Sequence, residues 1–415
     1  MKTIDQTATR NQHQVFSIKD LSTRISFHVL SQDPNSRARC GKITTPHGEI
    51  FTPVFMPVGT QGTVKTLSPK ELEEVGSQII LGNTYHLYLR PGEALIQQAG
   101  GLHKFVAWPK PILTDSGGYQ VFSLAELRKI HADGVKFQSH IDGSYHEFTP
   151  ESVIRTQRAF GSDIMMALDE CPPFPSERSY VEKSMQLTTR WAERCWRAWQ
   201  NSTSLYGHEQ ALFAIVQGGT FADLRRQSCE QLLAIDFPGY AIGGLAVGEP
   251  KSAMFEMVAL CNELLPENKP RYLMGVGKPE DLIEAVSLGV DMFDCVIPTR
   301  NGRKGQVFTA NGPLNLTNAI FRDDFTPIEE TCDCYACRTF TRAYLRHLFQ
   351  AEEILALRLG SLHNLRFYHR LMEQMRQAVT DGNFVEWKKA FFENYQIKQN
   401  ESSMVDGYME TTKEA

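Results

Sequence analysis

Hydrophobic positions recur along the chain as short continuous runs separated by amphipathic stretches. The runs that end in glycine or a polar residue cover residues 54–59, 79–83, 112–115, 164–169, 212–217, 240–244, 272–275 and 292–294. Continuous apolar runs are typical of strands buried on both faces of a parallel sheet. Helical stretches lie between several of them, one beginning with Ser68 as N-cap and Pro69 in its first turn. This α/β pattern predicts a (β/α)8 TIM barrel, with a doubly wound open sheet as the alternative.

Other segments depart from this repeat. Residues 24–51 alternate over short stretches and predict small antiparallel strands, and residues 135–149 predict a hairpin around Asp142-Gly143. We expect a flexible N-terminal extension at 1–24 and a barrel domain at 25–396. A subdomain that contains a cysteine cluster is predicted to be inserted at about 300–365, and residues 397–415 to form a disordered tail.

Composition limits the classes of function. The chain is 42% hydrophobic and 22% charged with a formal net charge of −5, so any basic surface for nucleic acid must be local. No apolar run reaches the length of a membrane-spanning helix, and residues 1–24 lack the apolar core of a secretory signal. Nine cysteines, three of them close together, indicate a reducing cytoplasm and a metal site rather than a disulfide framework.

The cysteine cluster has the spacing of a metal site. Cys332, Cys334 and Cys337 are followed by His363, and three thiolates with one imidazole would close a tetrahedral zinc site of the structural type. The site would leave no open position for water, so we do not expect this metal to take part in catalysis. His347 and His369 are alternatives for the fourth ligand.

Polar residues follow the predicted strands at the end where a TIM barrel carries its active site. They are Asn83, Asp115, Asp169, Gln217 and Asp294, joined by the glycine pairs 218–219 and 243–244. Each of these residues alone is typical of a strand-end cap or turn. Together a carboxylate, a carboxamide and bare backbone N–H groups can bind the edge of a purine, and Tyr119 and Met274 could cover its faces.

Basic residues follow Asp294 closely. Arg300, Arg303 and Lys304 lie in a stretch without acidic residues, which we interpret as a flexible loop that holds phosphates while the carboxylate does chemistry. Arg338, Arg342 and Arg346 recur every four residues and predict one face of a helix. That face fits either a track for phosphates or an ordinary solvated surface.

These motifs together resemble the bacterial type of tRNA-guanine transglycosylase, a family of base-exchange enzymes in queuosine biosynthesis. The resemblance covers about residues 25–396 and includes the cysteine cluster with its histidine. Its other stretches are residues 82–86, 114–120, 169–171, 216–219, 243–249, 272–277 and 291–296. Cys171 and Val247 resemble the bacterial members.

The resemblance implies an activity and its partners. The enzyme would replace guanine at position 34 of tRNAs with a GUN anticodon by 7-aminomethyl-7-deazaguanine, through a covalent ribosyl-aspartate intermediate. The implied acceptors are the tRNAs for Asp, Asn, His and Tyr. A TIM barrel with an inserted subdomain, one structural Zn²⁺ per subunit, a cytoplasmic location, no membrane association and a homodimer are also implied.

The resemblance also implies the role of each site residue. Asp294 would be the nucleophile and Asp115 the general acid and base. Asp169, Gln217 and the Gly244 N–H would bind the base, and the Leu245 carbonyl would accept from its aminomethyl group. Tyr119 and Met274 would stack on the base, while Arg300, Arg303 and Lys304 would grip the anticodon near uridine 33.

Two other classes of protein compete with this interpretation. One is a non-catalytic, zinc-bearing tRNA-binding subunit, which would lack the catalytic acids that are present here as Asp294 and Asp115. The other is a nucleoside hydrolase, which would need neither a basic loop nor a zinc subdomain to bind a free nucleoside.

Overall fold

The eight apolar runs form the eight strands of a closed parallel barrel. The structure is a computed structural model that describes residues 25–395, apart from residues 125 and 126. The N-terminal extension predicted at 1–24 and the tail predicted at 397–415 lie outside the described residues. Among the helices that the structure describes, none combines the length and the apolar character needed to cross a membrane.

The strands carry labels in chain order. They are β1 (Ser26–Gln32), β2 (Arg39–Thr45), β3 (Gly48–Thr52), β4 (Val54–Gly59), β5 (Ile80–Gly82), β6 (Ile112–Thr114), β7 (Arg128–His131), β8 (Gly134–Gln138), β9 (Tyr145–Phe148), β10 (Ile164–Met166), β11 (Ala211–Val216), β12 (Gly239–Ile242), β13 (Arg271–Leu273), β14 (Met292–Cys295), β15 (Gln306–Thr309) and β16 (Gly312–Asn315).

The barrel closes by pairing its first strand with its last. Strands β4, β5, β6, β10, β11, β12, β13 and β14 pair in this order, all parallel, and β14 returns to β4. At the closure Met292 lies opposite Val54 and Asp294 opposite Met56. A doubly wound sheet would have two open edges, so that alternative is wrong and the TIM barrel is confirmed.

Successive side chains of each barrel strand alternate between the interior and the surrounding helices. In β11, Phe213 and Ile215 belong to the interior cluster, whereas Leu212, Ala214 and Val216 belong to the cluster that includes the helices. Both faces of the strand are therefore apolar, which explains why each barrel strand is a continuous apolar run in the sequence.

An antiparallel sheet of β1, β2 and β3 closes the N-terminal end of the barrel, as the alternation at 24–51 predicts. Ile43 and Ile50 of this sheet join the interior cluster. Arg39 on β2 forms a buried ion pair with Asp291, which directly precedes β14, at 2.6 Å between Nη2 and Oδ2. The sheet is thereby tied to the end of the barrel that lies opposite the C-terminal strand ends.

The helices surround the barrel and fill the connections between its strands. They are α1 (Pro69–Glu74), α2 (Thr84–Leu89), α3 (Glu93–Gln98), α4 (Leu102–Val106), α5 (Gly118–Leu124), α6 (Pro150–Phe160), α7 (Arg178–Gln200), α8 (Ala222–Leu233), α9 (Lys251–Leu264), α10 (Pro279–Ser287), α11 (Ile297–Arg303), α12 (Tyr335–Thr339), α13 (Arg342–Gln350), α14 (Ile354–Thr380) and α15 (Phe384–Asn394). A 3-10 helix covers Ala319–Phe321.

Local sequence signals account for several of these elements. The Ser68 side chain accepts from the Glu71 N–H while the Glu71 carboxylate accepts from the Ser68 N–H, so a capping box starts α1. The predicted hairpin is the pair β8 and β9, in which Gln138 lies opposite Tyr145. With β7 these strands form a separate antiparallel sheet after the third barrel strand.

An insertion separates α11 from α14 and holds β15, β16, the 3-10 helix, α12 and α13. The two flanking helices cross in direct backbone contact, because a Cβ added to Gly302 of α11 would lie 2.6 Å from the Gly360 carbonyl carbon of α14. Only glycine on both helices permits this approach. The segment that directly follows β14 is therefore packed against the longest helix in the described part of the chain.

Candidate active site

The barrel register brings the strand-end residues to one mouth. In four of the barrel strands, the first inward-facing position beyond the last residue of the interior cluster is a polar site residue. The pairs of interior residue and site residue are Leu81 and Asn83, Leu113 and Asp115, Ile215 and Gln217, and Met292 and Asp294. Because parallel barrel strands all end at the same face, these polar side chains converge there.

Asp115 is buried and held by several donors. Its Oδ2 accepts from the Asn83 side chain at 2.5 Å, and its Oδ1 accepts from the N–H groups of Thr84 at 2.7 Å and Gly117 at 3.1 Å. Burial raises the pKa of Asp115 to about 6; these hydrogen bonds oppose the rise and the nearby Asp294 adds to it. A carboxyl group with this pKa can both give and take a proton near neutral pH.

Asp294 lies at the end of β14 and is half-buried. Its Oδ1 accepts from the Tyr272 hydroxyl at 2.5 Å and from the Gly275 N–H at 2.9 Å, and burial raises its pKa. Burial and the adjacent Asp294 hold the pKa of Tyr272 well above its ordinary value, so the phenol remains a donor. Within the described part of the chain both hydrogen bonds fall on Oδ1, which leaves Oδ2 available to a ligand.

Asp169 follows β10 and joins the loops after β6 and β11. Its Oδ1 accepts from Ser116 Oγ at 2.9 Å and its Oδ2 from Gln217 Nε2 at 2.8 Å. Burial raises the pKa of Asp169 to about 6 despite these two hydrogen bonds. A Cβ added to Gly118 would lie 2.5 Å from the Asp169 carbonyl oxygen, so glycine is required where α5 begins.

The glycine pair after β12 packs against the Gln217 amide. A Cβ on Gly243 would lie 2.9 Å from Gln217 Nε2, and one on Gly244 would lie 2.2 Å from its Oε1. Gly244 has φ of +63°, which favours glycine independently of the lack of space. The buried Oε1 of Gln217 has no hydrogen-bond partner among the described residues, a cost that is characteristic of sites built to bind a ligand.

Glu249 fixes the orientation of the next peptide groups. Its carboxylate accepts from the N–H groups of Ala246 at 2.5 Å and Val247 at 3.0 Å. In a trans peptide the carbonyl points away from the N–H of the same unit, so the Leu245 carbonyl points away from Glu249. Ala246 has φ of +58°, an unusual conformation for alanine that these hydrogen bonds help to hold.

Tyr119 and Met274 lie beside glycines that pack against these polar groups, Gly118 and Gly243 respectively. Tyr119 is in the first turn of α5, close in sequence to Ser116, and remains 40% exposed. Met274 follows β13 and is half-buried, with its Sδ 3.6 Å from where a Cβ of Gly243 would be. An exposed ring and a soft thioether at the edge of a polar pocket could contact the faces of a planar ligand.

The basic segment after Asp294 is a helix, so the expectation of a flexible loop is wrong. Arg300 and Arg303 lie in α11 and are half-buried, and Lys304 is its exposed C-cap. Pro298 does end the strand, but proline in the first turn also suits the start of a helix. The three basic side chains thus follow the Asp294 strand on a packed element rather than on a mobile one.

The predicted single face of Arg338, Arg342 and Arg346 is also wrong. Arg338 lies in α12, whereas the other two lie in α13, which starts afresh with Thr341 as its N-cap. Arg342 forms an ion pair with Asp324 at 3.0 Å and donates to a backbone carbonyl. At least this arginine is engaged within the fold and is not a free part of a phosphate track.

The cysteine cluster forms a group that could hold a metal ion. The Nδ1 atom of His363 lies 3.8, 3.6 and 3.2 Å from the sulfur atoms of Cys332, Cys334 and Cys337. Tetrahedral coordination with ordinary zinc bond lengths puts nitrogen and sulfur about 3.6 Å apart, so the four ligands fit that geometry. His363 Nε2 lies 2.8 Å from the Phe308 carbonyl, an outer partner that would orient the ring.

The structure also decides among the histidines proposed as the fourth ligand. His347 is exposed on α13, and His369 Nε2 lies 2.8 Å from the Ser77 hydroxyl, away from the thiols. His363 is fully buried beside them. In the described part of the chain, it is therefore His363 that completes the cluster.

Several residues of the site escape prediction from the sequence. They are Tyr272, which donates to Asp294; Ser116, which donates to Asp169; Arg225, whose guanidinium reaches the carbonyls of Val216, Gly219, Gly243 and Gly244; and Glu249. Tyr272 starts an apolar run and Arg225 lies within a helix, so only the tertiary contacts reveal them. The inward register of β13 could have identified Tyr272.

The chain is similar to known proteins over most of its length. Residues 33–397 match the family described as "Queuine tRNA-ribosyltransferase". Proteins carrying that name from Thermoanaerobacter pseudethanolicus and Caldanaerobacter subterraneus subsp. tengcongensis are each 58% identical to it. The match to the Thermoanaerobacter protein covers 90% of this chain and 99% of that relative, and the match to the Caldanaerobacter protein covers 89% of this chain and 98% of that relative. A relative of the same name from Symbiobacterium thermophilum is 58% identical over 91% of this chain and 93% of its own.

The raised pKa of Asp169 predicts how an Asp169→Asn variant responds to pH. In the folded state the carboxyl group of Asp169 keeps its proton up to about pH 6, whereas its ordinary pKa is 3.8. The wild-type protein therefore loses stability as the pH rises from about 4 to above 6. The amide cannot ionise and avoids this loss. The stability of the variant relative to wild type should increase by about 1 to 3 kcal/mol between pH 4 and pH 8, measured by urea unfolding.

The matched control is Asp142→Asn, because Asp142 is exposed in the hairpin and hydrogen bonds from Ser144 and Ser139 lower its pKa to about 2. This control should show no such gain at high pH. A relative stability of Asp169→Asn that is independent of pH would mean that the Asp169 carboxylate is well solvated.

Proposed function

The chain belongs to the queuine tRNA-ribosyltransferase family, and we propose that it replaces guanine at position 34 of tRNAs with a GUN anticodon by 7-aminomethyl-7-deazaguanine. The observation that carries this proposal is the pair of carboxyl groups in one mouth, where burial raises the pKa of Asp115 to about 6 and the charge of Asp294 adds to the rise. Two carboxyl groups in different environments are what a glycosidic exchange requires.

The first half of the reaction forms a covalent intermediate. The free Oδ2 of Asp294 attacks C1′ of the ribose from the face opposite the base, while Tyr272 and Gly275 hold Oδ1 in place. The C1′–O bond forms as the bond from C1′ to the guanine N9 breaks. Asp115 gives its proton to the departing guanine, for which a pKa near 6 is suitable.

The second half reverses these steps with the incoming base. Asp115, now ionised, takes the proton from the N9 position of the deazaguanine, and that nitrogen attacks C1′. The C1′–O bond breaks and Asp294 leaves as a carboxylate. Two inversions at C1′ give net retention of configuration, as in a retaining glycosidase.

The polar groups beside these carboxylates bind the edge of the base. Asp169 accepts from the ring N–H and the exocyclic amine, while the Gln217 amide and the Gly244 N–H donate to the base carbonyl. The Leu245 carbonyl, turned away from Glu249, accepts from the aminomethyl group. Tyr119 and Met274 stack on the two faces of the ring, as their places at the edge of the pocket permit.

The basic helix α11 is proposed to contact the tRNA. Arg300, Arg303 and Lys304 lie just beyond Asp294 and would grip phosphates near uridine 33 once the target base is splayed out of its stack. The proposed acceptors are the tRNAs for Asp, Asn, His and Tyr. The proposal includes a homodimer, a cytoplasmic location, and a catalytic domain at 25–396 with a zinc-binding subdomain at about 300–365.

The metal at the cysteine cluster is proposed to be zinc. Cys332, Cys334, Cys337 and His363 would hold it, and a closed set of three thiolates and one imidazole supplies folding stability rather than chemistry. A non-catalytic tRNA-binding subunit would not need Asp294 with its two donors. A nucleoside hydrolase would not need the helix of basic residues.

The Asp294→Asn variant tests the nucleophile. The amide keeps the shape of the side chain but loses its nucleophilicity, so exchange of radiolabelled guanine into tRNA should fall by about three orders of magnitude or more. A denaturant-stable band of enzyme linked to tRNA should form with wild type and with the surface control Asp142→Asn, and vanish in Asp294→Asn. If the band persisted, the nucleophile would be another residue, with Asp115 the first choice.

The Cys334→Ser variant tests the metal site. Losing one thiolate should release the metal and lower the free energy of unfolding by about 4 kcal/mol or more, since the ligands cannot be held together without it. Cys40→Ser is the matched control, a buried cysteine outside the cluster. Metal content by atomic absorption and the unfolding curve are the measurements. A metal-free Cys334→Ser variant of unchanged stability would contradict a structural metal.

The Asp169→Ala variant tests base selection. Hypoxanthine lacks the exocyclic amine of guanine, so wild type should discriminate against it because a buried carboxylate loses a donor. The ratio of incorporation efficiencies for guanine and hypoxanthine should narrow about tenfold or more in the variant. The covalent band with tRNA should remain. An unchanged ratio would make Asp169 a strand-end cap and move the base pocket elsewhere.

A further inference from the structure

Arg225 is a fully buried arginine on α8 that donates to the loops at the end of the barrel. Its Nε donates to the Gly219 carbonyl at 2.8 Å. Its Nη1 donates to the Val216 carbonyl at 3.0 Å and to the Gly243 carbonyl at 2.7 Å, and its Nη2 reaches the Gly244 carbonyl at 3.3 Å. One rigid guanidinium thus links the ends of two neighbouring strands, β11 and β12.

These carbonyls flank the groups that the proposed function assigns to the base. Val216 directly precedes Gln217, and its carbonyl also accepts from the Gly243 N–H at 3.0 Å. The Gly243 carbonyl belongs to the same peptide unit as the Gly244 N–H. In a trans peptide these two groups point in opposite directions, so a donor that fixes the Gly243 carbonyl also fixes the direction of the Gly244 N–H.

The charge of the guanidinium has a further effect on this peptide. All the acceptors that the described residues offer to Arg225 are backbone carbonyls, so its positive charge is not neutralised by a carboxylate in direct contact. A charged donor on the carbonyl polarises the peptide unit and makes its N–H a stronger donor. The low dielectric of a buried site increases this effect.

We propose that Arg225 is a positioning residue that determines how strongly the site binds the carbonyl of the base, through the Gly243–Gly244 peptide. This inference rests on the proposed function, because it takes the Gly244 N–H as a donor to that carbonyl. Arg225 does not itself contact the base. Gly218 also holds this loop close to α8, because a Cβ at Gly218 would lie only 2.8 Å from the backbone nitrogen of Arg225.

A purely structural role for Arg225 gives a different expectation. A buried arginine that only satisfies loop carbonyls would, when replaced, lower stability and loosen the whole pocket. Binding of every base would then weaken in parallel. The positioning role instead weakens one interaction of the base and leaves the interaction with Asp169 unchanged.

The experiment compares three bases as competitors of radiolabelled guanine incorporation into tRNA. Guanine is the reference, 6-thioguanine replaces the carbonyl oxygen by a poor acceptor, and hypoxanthine keeps the carbonyl but lacks the amine. Inhibition constants are measured for wild type, Arg225→Met, Arg225→Lys, Asp169→Ala and Arg158→Met. Arg158 is the matched control, a buried arginine on α6 that donates to the Trp199 and Ser202 carbonyls.

In Arg225→Met the preference for guanine over 6-thioguanine should shrink about tenfold, while the preference over hypoxanthine stays as in wild type. Asp169→Ala should show the reverse pattern. Arg158→Met should lower the melting temperature and change neither preference. Arg225→Lys keeps the charge but not the fork of donors and should give an intermediate change of about threefold.

Two results would overturn the proposal. One is an Arg225→Met variant with an unchanged preference for guanine over 6-thioguanine, and the other is a parallel loss of both preferences. If Arg225→Met does not fold, the proposal is tested with Arg225→Lys, by its preferences for guanine over 6-thioguanine and over hypoxanthine. Failure of the proposed function is a separate result, because wild type would then incorporate no guanine into tRNA.

Discussion

The period of two along each barrel strand is the constraint on which the rest of the structure depends. Inward side chains fill the barrel up to its mouth, and the next inward position of a strand then faces the open mouth at the C-terminal ends of the strands. Met292 is the last interior residue of its strand, so Asp294 is directed into the mouth, and Ile215 directs Gln217 in the same way. Moving either of these strands by one residue would turn its polar group outward into the helices and its interior residues away from the core.

Convergence of carboxyl groups above an apolar core has an electrostatic consequence. Asp115 and Asp169 lose hydration, and burial raises the pKa of both to about 6 although Asp115 accepts three hydrogen bonds and Asp169 two. The site therefore lowers the stability of the fold at neutral pH, and it keeps the pKa of Asp115 near the value that the proposed proton transfer requires. Tyr272 moderates this for Asp294, because the hydrogen bond that it donates to Oδ1 at 2.5 Å opposes the rise in pKa caused by burial.

The barrel could be predicted from the sequence because it depends on patterns that are visible within short stretches of the chain. A strand that is buried on both faces is a continuous apolar run in the sequence, and the spacing of the cysteines predicts the metal-binding cluster. Predictions failed where the same residues are compatible with two different local structures. Pro298 can end a strand or begin a helix, and packing of Gly302 on Gly360 selects the helix. Arg225 could not have been found from the sequence, because its function depends on four carbonyls from two loops.

The metal-binding cluster and the basic helix are coupled through α14. His363 faces the thiols, while its neighbour Asn364 donates to the carbonyls of Pro298 and Gln306 at 2.9 Å each. One turn earlier, Gly360 packs on the backbone of α11. A shift of α14 along its axis would therefore disturb both the fourth ligand of the cluster and the helix that begins three residues after Asp294. A metal bound at this cluster can thus matter to the proposed reaction without taking part in it, because it would hold α14, against which the helix of the proposed tRNA contacts is packed.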